Sequence, residues 1–333
     1  MVERMHVGLW GCGGMGNLLA RSLLATDEAE LGVVYDVRPE ATAQAASRYG
    51  ARAMGSAEAL LSHPGLDGVM IALPSYLHAD AVVQAAEAGV DVFCEKPMAL
   101  TAADCERMIA AAQAHGVRLM IGHVLRYYEP YRSILRWQAE GRLGTLFAAS
   151  IWRFFDGRRV ADKGSWQAVR AQSGGYLFEI GAHELDMLRC ALGQPESVCA
   201  VAQKVLPRGH EMEDHIAIQV RYPGGRVGLY ECGTGVTIGR YGFCFYFEGA
   251  TLISEAALDP RALQAYDTEG REIDALRDEF SEGSPEQAEL QAWLSALRDE
   301  APVPIPGEEG LATVALIEAI LRSAEGGELV SLR

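Results

Sequence analysis

Three stretches of the sequence carry residue types at spacings that suit chemistry. The first is Gly11-Cys12-Gly13-Gly14-Met15-Gly16, of the form G-x-G-x-x-G. Glycines in that pattern are common, and context decides their meaning. Here they follow an apolar run at 6–10 and open a helical pattern at 17–25. Asp36, about 20 residues past Gly16, ends the next apolar run. That is the arrangement of a dinucleotide-binding turn. Gly11 would permit the tight turn, Gly13 would let backbone amides approach a pyrophosphate, and Gly16 would let helix and strand pack closely. Asp36 would accept hydrogen bonds from both hydroxyls of the adenosine ribose. A carboxylate there repels a 2′-phosphate, which favours NAD. Arg38, able to stack on adenine or pair with a phosphate, leaves NADP open.

The second stretch is Glu95-Lys96-Pro97, after the apolar run at 91–94. A lysine at the carboxyl edge of a parallel strand, beside the nucleotide crevice, can reach a substrate. Most lysines are simply solvated, but a cis bond before Pro97 would fix this one's direction. The third stretch runs from Gly174-Gly175 to Asp186. If it is helical, Glu179 and His183 lie at i and i+4, and His183 and Asp186 at i and i+3, on neighbouring positions of one face. Carboxylates beside an imidazole can tune it for proton transfer near neutral pH. On these residues alone a structural histidine competes with a catalytic one. A metal site lacks a third ligand at sensible spacing.

The elements that must position these residues follow from periodicity. Short aliphatic runs at 6–10, 31–35, 52–54, 68–73, 91–94 and 118–121 read as strands. Between them lie helical patterns at 17–25, 39–49, 77–88 and 102–115. Aliphatic strands without polar alternation imply a parallel sheet covered on both faces, a doubly wound α/β domain. Near residue 123 the rhythm changes. Helical stretches at 130–138 and 175–192 are followed or flanked by strands at 147–155, 197–205, 215–222, 227–232, 243–248 and 251–254, several with in–out alternation. Helices at 285–298 and 307–324 close the chain around Pro302, Pro304 and Pro306. The expected division is a Rossmann domain over 1–123 and an α+β domain with a large open mixed sheet over 124–333.

Composition limits the function classes. A chain of 333 residues, 49% hydrophobic and 22% charged, is long enough for two globular domains. Its formal charge of −16 argues against a nucleic-acid or membrane-surface partner and suits a small-molecule substrate. The seven cysteines form no C-x-x-C pair and read as thiols of a reducing compartment. No leader pattern and no apolar stretch of about 18 residues is present, so the cytoplasm is the expected location.

Taken together, the motifs resemble the glucose–fructose oxidoreductase and inositol dehydrogenase family (Gfo/Idh/MocA). The resemblance runs the whole length. It comprises the glycine loop, Pro74-x-x-x-His78, Glu95-Lys96-Pro97, Arg126-Tyr127-Tyr128-Glu129-Pro130-Tyr131, the segment from Gly174 to Asp186, and Gly307-Glu308-Glu309-Gly310-Leu311. Each is common alone; their order and spacing are specific. The resemblance implies an oxidoreductase moving a hydride between nicotinamide and a CH–OH carbon of a sugar, sugar derivative or inositol. It implies an active site between the domains, with Lys96 as the family's lysine and His183 as its proton-transfer group. Glu179 stands where the family usually has aspartate, which puts its contact with substrate in doubt but leaves it able to orient His183.

Gly14, Met15, Arg38, Pro74, His78 and Lys96 join Gly11, Gly13, Gly16 and Asp36 as expected cofactor contacts, and Glu95 would touch the nicotinamide-side ribose. Arg126, Tyr128, Trp152, Arg153 and Trp166 fall in segments the family uses around substrate. No metal is implied. The family's open sheet implies a homodimer or homotetramer. Two other activities share the fold: a glycosidase that oxidises its substrate transiently and returns NAD unchanged, and a non-catalytic nucleotide-sensing regulator. The presence of both Lys96 and His183 speaks against the regulator.

Overall fold

The computed structural model describes residues 4–156, 166–205 and 212–332. The chain divides into two compact units, the first built from Met1–Val124 and Gly283–Val314, the second from Leu125–Glu282 and Ala315–Arg333. In the first, β1 (Met5–Trp10), α1 (Gly14–Leu24), β2 (Ala29–Tyr35), α2 (Pro39–Tyr49), β3 (Arg52–Ala53), α3 (Ala57–Leu61), β4 (Gly68–Ile71), α4 (His78–Glu87), β5 (Asp91–Glu95), α5 (Ala102–His115) and β6 (Leu119–Gly122) alternate. The sheet order is β3-β2-β1-β4-β5-β6, and every pairing is parallel. Val7, Leu9, Val33, Val34, Val69, Ile71, Val92 and Cys94 have no exposed surface. Helices cover both faces, so no polar alternation survives in these strands. Strand order reverses at β1, whose neighbours are β2 and β4. A parallel sheet of this kind opens its ligand crevice at the carboxyl ends of the strands flanking such a reversal. The glycine loop, Asp36 and Lys96 all follow carboxyl ends on that edge.

The second unit begins with α6 (Tyr131–Ala139), β7 (Leu146–Asp156), α7 (Arg170–Ser173) and α8 (Ala182–Leu192). Then come β8 (Ser197–Gln203), β9 (His215–Tyr222), β10 (Arg226–Gly233), β11 (Gly235–Phe247), β12 (Ala250–Ser254) and β13 (Gln264–Asp267). They form an eight-stranded mixed sheet, β13-β12-β11-β7-β10-β9-β8-β14, in which only β7 and β10 run parallel among the described pairings. Its edge strand β14 is Val330–Ser331. Helix α8 lies on β7 and β10, and strand alternation follows from this cover. In β9, Ile216, Ile218, Val220 and Tyr222 are buried, whereas Gln219 and Arg221 face out. On the other side of the sheet Val201, Leu229 and Tyr246 are exposed.

Two helices close the chain: α9 (Pro285–Leu297) and α10 (Gly307–Gly326). The expected division assigned all of 124–333 to the second domain, whereas 283–314 packs with the first unit. The cause is Trp293 on α9. Its ring is fully buried 5.7 Å from that of Phe93, and a Cβ on Gly68 would come within 2.9 Å of it. Truncating a buried tryptophan costs about 3–5 kcal/mol, so this side chain alone ties α9 firmly to the parallel sheet. The Ile121 N–H donates to the Ile305 carbonyl at 2.9 Å, bringing the proline-rich connection to the β6 edge.

The remaining differences are local. Helix α3 and strands β13 and β14 were not expected, and β11 starts at Gly235 rather than 243. The helix expected over 175–192 opens into a π-helical turn at Leu177–Gly181 before α8 begins. No described helix is long and apolar enough to cross a membrane.

Candidate active site

The glycine loop is built by steric exclusion. Gly11 has φ +102, a region costly for side chains, and a Cβ there would sit 2.3 Å from the Ala72 carbonyl oxygen. A Cβ on Gly16 would meet the Gly11 carbonyl oxygen at 1.9 Å. Gly11 and Gly16 are therefore glycine for internal reasons. Gly13 and Gly14 differ: nothing lies within 4 Å of an added Cβ at either. The backbone there faces open space, as an approaching ligand needs. Asn17 Nδ2 donates to the Cys12 and Gly13 carbonyls, at 2.9 and 2.7 Å, and sets the loop's path. Helix α1 starts at this point with no side-chain cap and no acidic residue in its first turn. Its leading N–H groups and its dipole therefore favour an anion. Met15 is exposed at the rim.

Asp36 follows β2 and is almost buried. It accepts from the Cys12 N–H at 2.9 Å, the Arg38 N–H at 2.9 Å, and Arg38 Nε and Nη2 at 3.0 and 3.1 Å. Burial pushes its pKa up, but the bonds from Arg38 and Cys12 outweigh that and hold the carboxyl below the ordinary aspartate value. The Cys12 thiol, buried and beside that carboxylate, is pushed up to about 12 and stays protonated.

At the ends of β4 and β5, His78 is buried with Nδ1 2.8 Å from the Pro97 carbonyl and Nε2 2.9 Å from the Leu73 carbonyl. Both ring nitrogens are thus engaged by backbone. His78 was expected to contact the cofactor; in the structure its ring instead joins the loop carrying Pro74 to the loop carrying Lys96. The Lys96–Pro97 bond is cis, and Lys96 is half-buried.

Burial pushes the Glu95 carboxyl from 4.5 up to about 7, with the Lys96 charge pulling the other way. Between those values the folded chain holds a proton that the unfolded chain has lost, so stability falls as pH rises through that window. The full shift corresponds to roughly 3 kcal/mol. Urea midpoints should decline from pH 5 to pH 8, and Glu95→Gln should flatten that decline. An unchanged slope in the variant would mean that Glu95 is ionised throughout.

In the second unit, Glu179 lies in the π-helical turn and His183 in the first turn of α8, both half-buried. Turns of this kind recur at functional sites. Arg126 makes a forked pair with the buried Asp186, Nε to Oδ2 and Nη2 to Oδ1, each at 2.7 Å. Arg189 adds a longer contact at 3.4 Å. A buried carboxylate is costly unless paired, and this pairing takes up the fork expected to hold substrate. Arg153 is likewise engaged, its Nη1 2.7 Å from the fully buried Glu184. Trp152 and Arg153 are successive residues of β7 and so project to opposite faces of the sheet. The structure therefore does not bring those two together. Trp152 leans over Gly242, with Arg240 5.6 Å from its ring. Tyr128 and Trp166 are half-buried in short turns.

Sequence reasoning missed Glu184, Tyr230 and Tyr241, and the pairing of Asp186 with Arg126. The available signal was the placement of Glu184 and Asp186 on the apolar stripe of α8, among Ala182, Leu185 and Leu188. Charged residues on a buried stripe call for partners.

Residues 5–123 match the oxidoreductase family's NAD-binding Rossmann fold, and residues 139–332 match that family's C-terminal alpha/beta domain. The chain is 32% identical over 235 residues to the 2,7-anhydro-N-acetylneuraminate hydratase of Escherichia coli, covering 69% of this chain and 62% of the hydratase. Two other curated relatives are matched over 64% and 60% of their own length. The D-apiose dehydrogenase of Paraburkholderia graminis is 29% identical, covering 100% of this chain and 91% of that protein. Among solved structures, the WlbA dehydrogenase of Bordetella pertussis in complex with NADH and UDP-GlcNAcA superposes with TM-score 0.86 at 26% identity, covering 99% of both chains. By sequence, by fold and by the loop at the end of β1, the chain belongs to the Gfo/Idh/MocA oxidoreductase family.

Proposed function

We propose that the protein is a nicotinamide-dependent oxidoreductase acting on a CH–OH carbon of a small polyhydroxylated substrate, a sugar, sugar derivative or inositol. The observation that carries this reading is the carboxyl edge of the parallel sheet. There the open backbone at Gly13 and Gly14 follows β1, the ionised Asp36 follows the adjacent β2, and the half-buried Lys96 follows β5, two strands from β1 on the other side. Gly13, Gly14 and the α1 terminus would hold the pyrophosphate, Asp36 the adenosine ribose, and Glu95 the nicotinamide-side ribose. Bound nicotinamide supplies the hydride acceptor or donor.

The chain's own groups handle position and protons. In the oxidative direction neutral His183 takes the hydroxyl proton, Lys96 donates a hydrogen bond to the same oxygen and stabilises its growing negative charge, and Glu179 orients the imidazole. In reduction, protonated His183 returns the proton. A hydratase adds or removes water with no net redox change, so the relative of that name favours a second reading in which oxidation by this chain is only transient. A spectrophotometric screen of cyclitols, aldoses and sugar acids with NAD and NADP tests both. Accumulating NADH supports net oxidation, product formation without NADH supports the transient route, and no product from any polyol contradicts both.

We read the cofactor as NAD. The depressed pKa of Asp36 keeps its charge at neutral pH, and Arg38 is held by that same carboxylate. Asp36→Ala removes the repulsion and releases Arg38 toward a 2′-phosphate. The ratio of kcat/KM for NADP over NAD should rise by about tenfold or more, the effect of some 1.4 kcal/mol. An unchanged ratio would remove Asp36 from cofactor selection. The exposed Val201, Leu229 and Tyr246 support a homodimer or homotetramer joined through the open sheet, and seven cysteines with no disulfide among them support a cytoplasmic protein.

A further inference from the structure

The second unit buries a carboxylate that the mechanism does not use. Glu184 has no exposed surface, yet both of its oxygens are taken: Oε1 accepts from Arg153 Nη1 at 2.7 Å and from Tyr241 Oη at 2.8 Å, and Oε2 from Tyr230 Oη at 3.0 Å. The Arg153 guanidinium lies 4.6 Å from the centre of the Tyr241 ring. Tyr176 Oη donates to the Arg153 carbonyl at 2.9 Å from the residue just before the π-helical turn. A Cβ on Gly181 would come 3.3 Å from the Tyr230 ring, so that phenol packs tightly beneath the turn. Burial pushes the Tyr230 and Tyr241 phenols well above their ordinary value, which keeps them as donors.

We propose that Glu184 is a positioning residue: its ion pair with Arg153, capped by Tyr230 and Tyr241, fixes the turn of helix that carries His183. The inference rests on the reading of His183 as the proton-transfer group. Burying a charged pair seldom adds stability over an apolar side chain of similar volume, so its return lies in placement. Three anchors on three strands, β7, β10 and β11, hold one side chain of α8. Successive helical residues point about 100° apart, so a Glu184 locked toward the sheet dictates where His183 projects. Because Glu179 lies in the wider π-helical turn just before α8, the same lock sets its angle to the imidazole.

The probe is diethyl pyrocarbonate on the full-length protein at pH 8, with carbethoxylation of each histidine followed by mass spectrometry. Glu184→Gln keeps the shape of the side chain and removes its charge. It should raise the rate at His183 by about fivefold or more while leaving His63 and His115 unchanged. A Tyr230→Phe/Tyr241→Phe double variant removes two donors, keeps both rings, and should move His183 in the same direction; it also serves if Glu184→Gln does not fold. A folded variant with the wild-type rate at His183 overturns the proposal, as does a uniform rise at all three histidines, which would mean general loosening. His183→Asn, assayed on a polyol turned over by the wild type, separates the two claims. Normal turnover in that variant sinks the catalytic reading of His183 and leaves the positioning result standing.

Discussion

His183→Ala and Lys96→Ala each lower turnover of the responsive polyol by about 10²–10⁴-fold, with NADH affinity retained. The size follows from what each group is asked to do. An alcohol loses its proton reluctantly, and hydride departs from its carbon only as that proton leaves. Without the imidazole, water must act as base at a position the protein does not control. Without the ammonium, charge on the oxygen develops in a partly buried site with no compensating donor. Cofactor affinity is a separate matter, because the proposed reading assigns it to the glycine loop and Asp36. NADH fluorescence titration should therefore match the wild type while single-turnover absorbance at 340 nm slows. Near-full activity in either variant removes that residue from the chemistry.

Gly13→Ala and Gly16→Ala should fail in opposite ways. A Cβ on Gly16 would lie 1.9 Å from the Gly11 carbonyl oxygen, so a methyl there must displace backbone. Overpacking of this kind costs about 1–3 kcal/mol or more, and thermal unfolding should shift down by several degrees. Gly13 has φ −75, which any residue adopts, and open space around it. Its alanine variant should melt with the wild type and yet bind NADH about tenfold or more weakly, because the methyl fills the approach to the α1 terminus. If Gly13→Ala bound NADH normally, the pyrophosphate would have to lie elsewhere. The pair of variants thus separates the glycine required by the fold from the glycine required by the ligand.

The first unit was legible because its signals are local. Uninterrupted aliphatic strands mark a doubly covered parallel sheet, and the glycine loop and Asp36 sit at the strand ends that such a sheet dictates. The second unit was legible in outline only. Periodicity finds α9 but cannot say that Trp293 seats it against Phe93 and Gly68 of the parallel sheet, which makes α9 part of the first unit. Ion pairs between distant residues leave no local trace. Arg126 with Asp186, and Arg153 with Glu184, are 60 and 31 residues apart, and both arginines look free in sequence. The opposed directions of Trp152 and Arg153 were readable, since neighbours in one strand cannot share a face. The π-helical turn was not, because five residues are too few for its wider period to stand out from that of an ordinary helix.

The central claim is that a hydride moves between a substrate carbinol carbon and nicotinamide. Polyols deuterated at their carbinol carbons, incubated with the protein and NAD, test it directly by mass spectrometry of the recovered cofactor. The account predicts deuterium at nicotinamide C4, formed at a rate that falls with His183→Ala. Product formed from a labelled polyol while every deuterium stays on its carbon and none ever reaches the cofactor would contradict it.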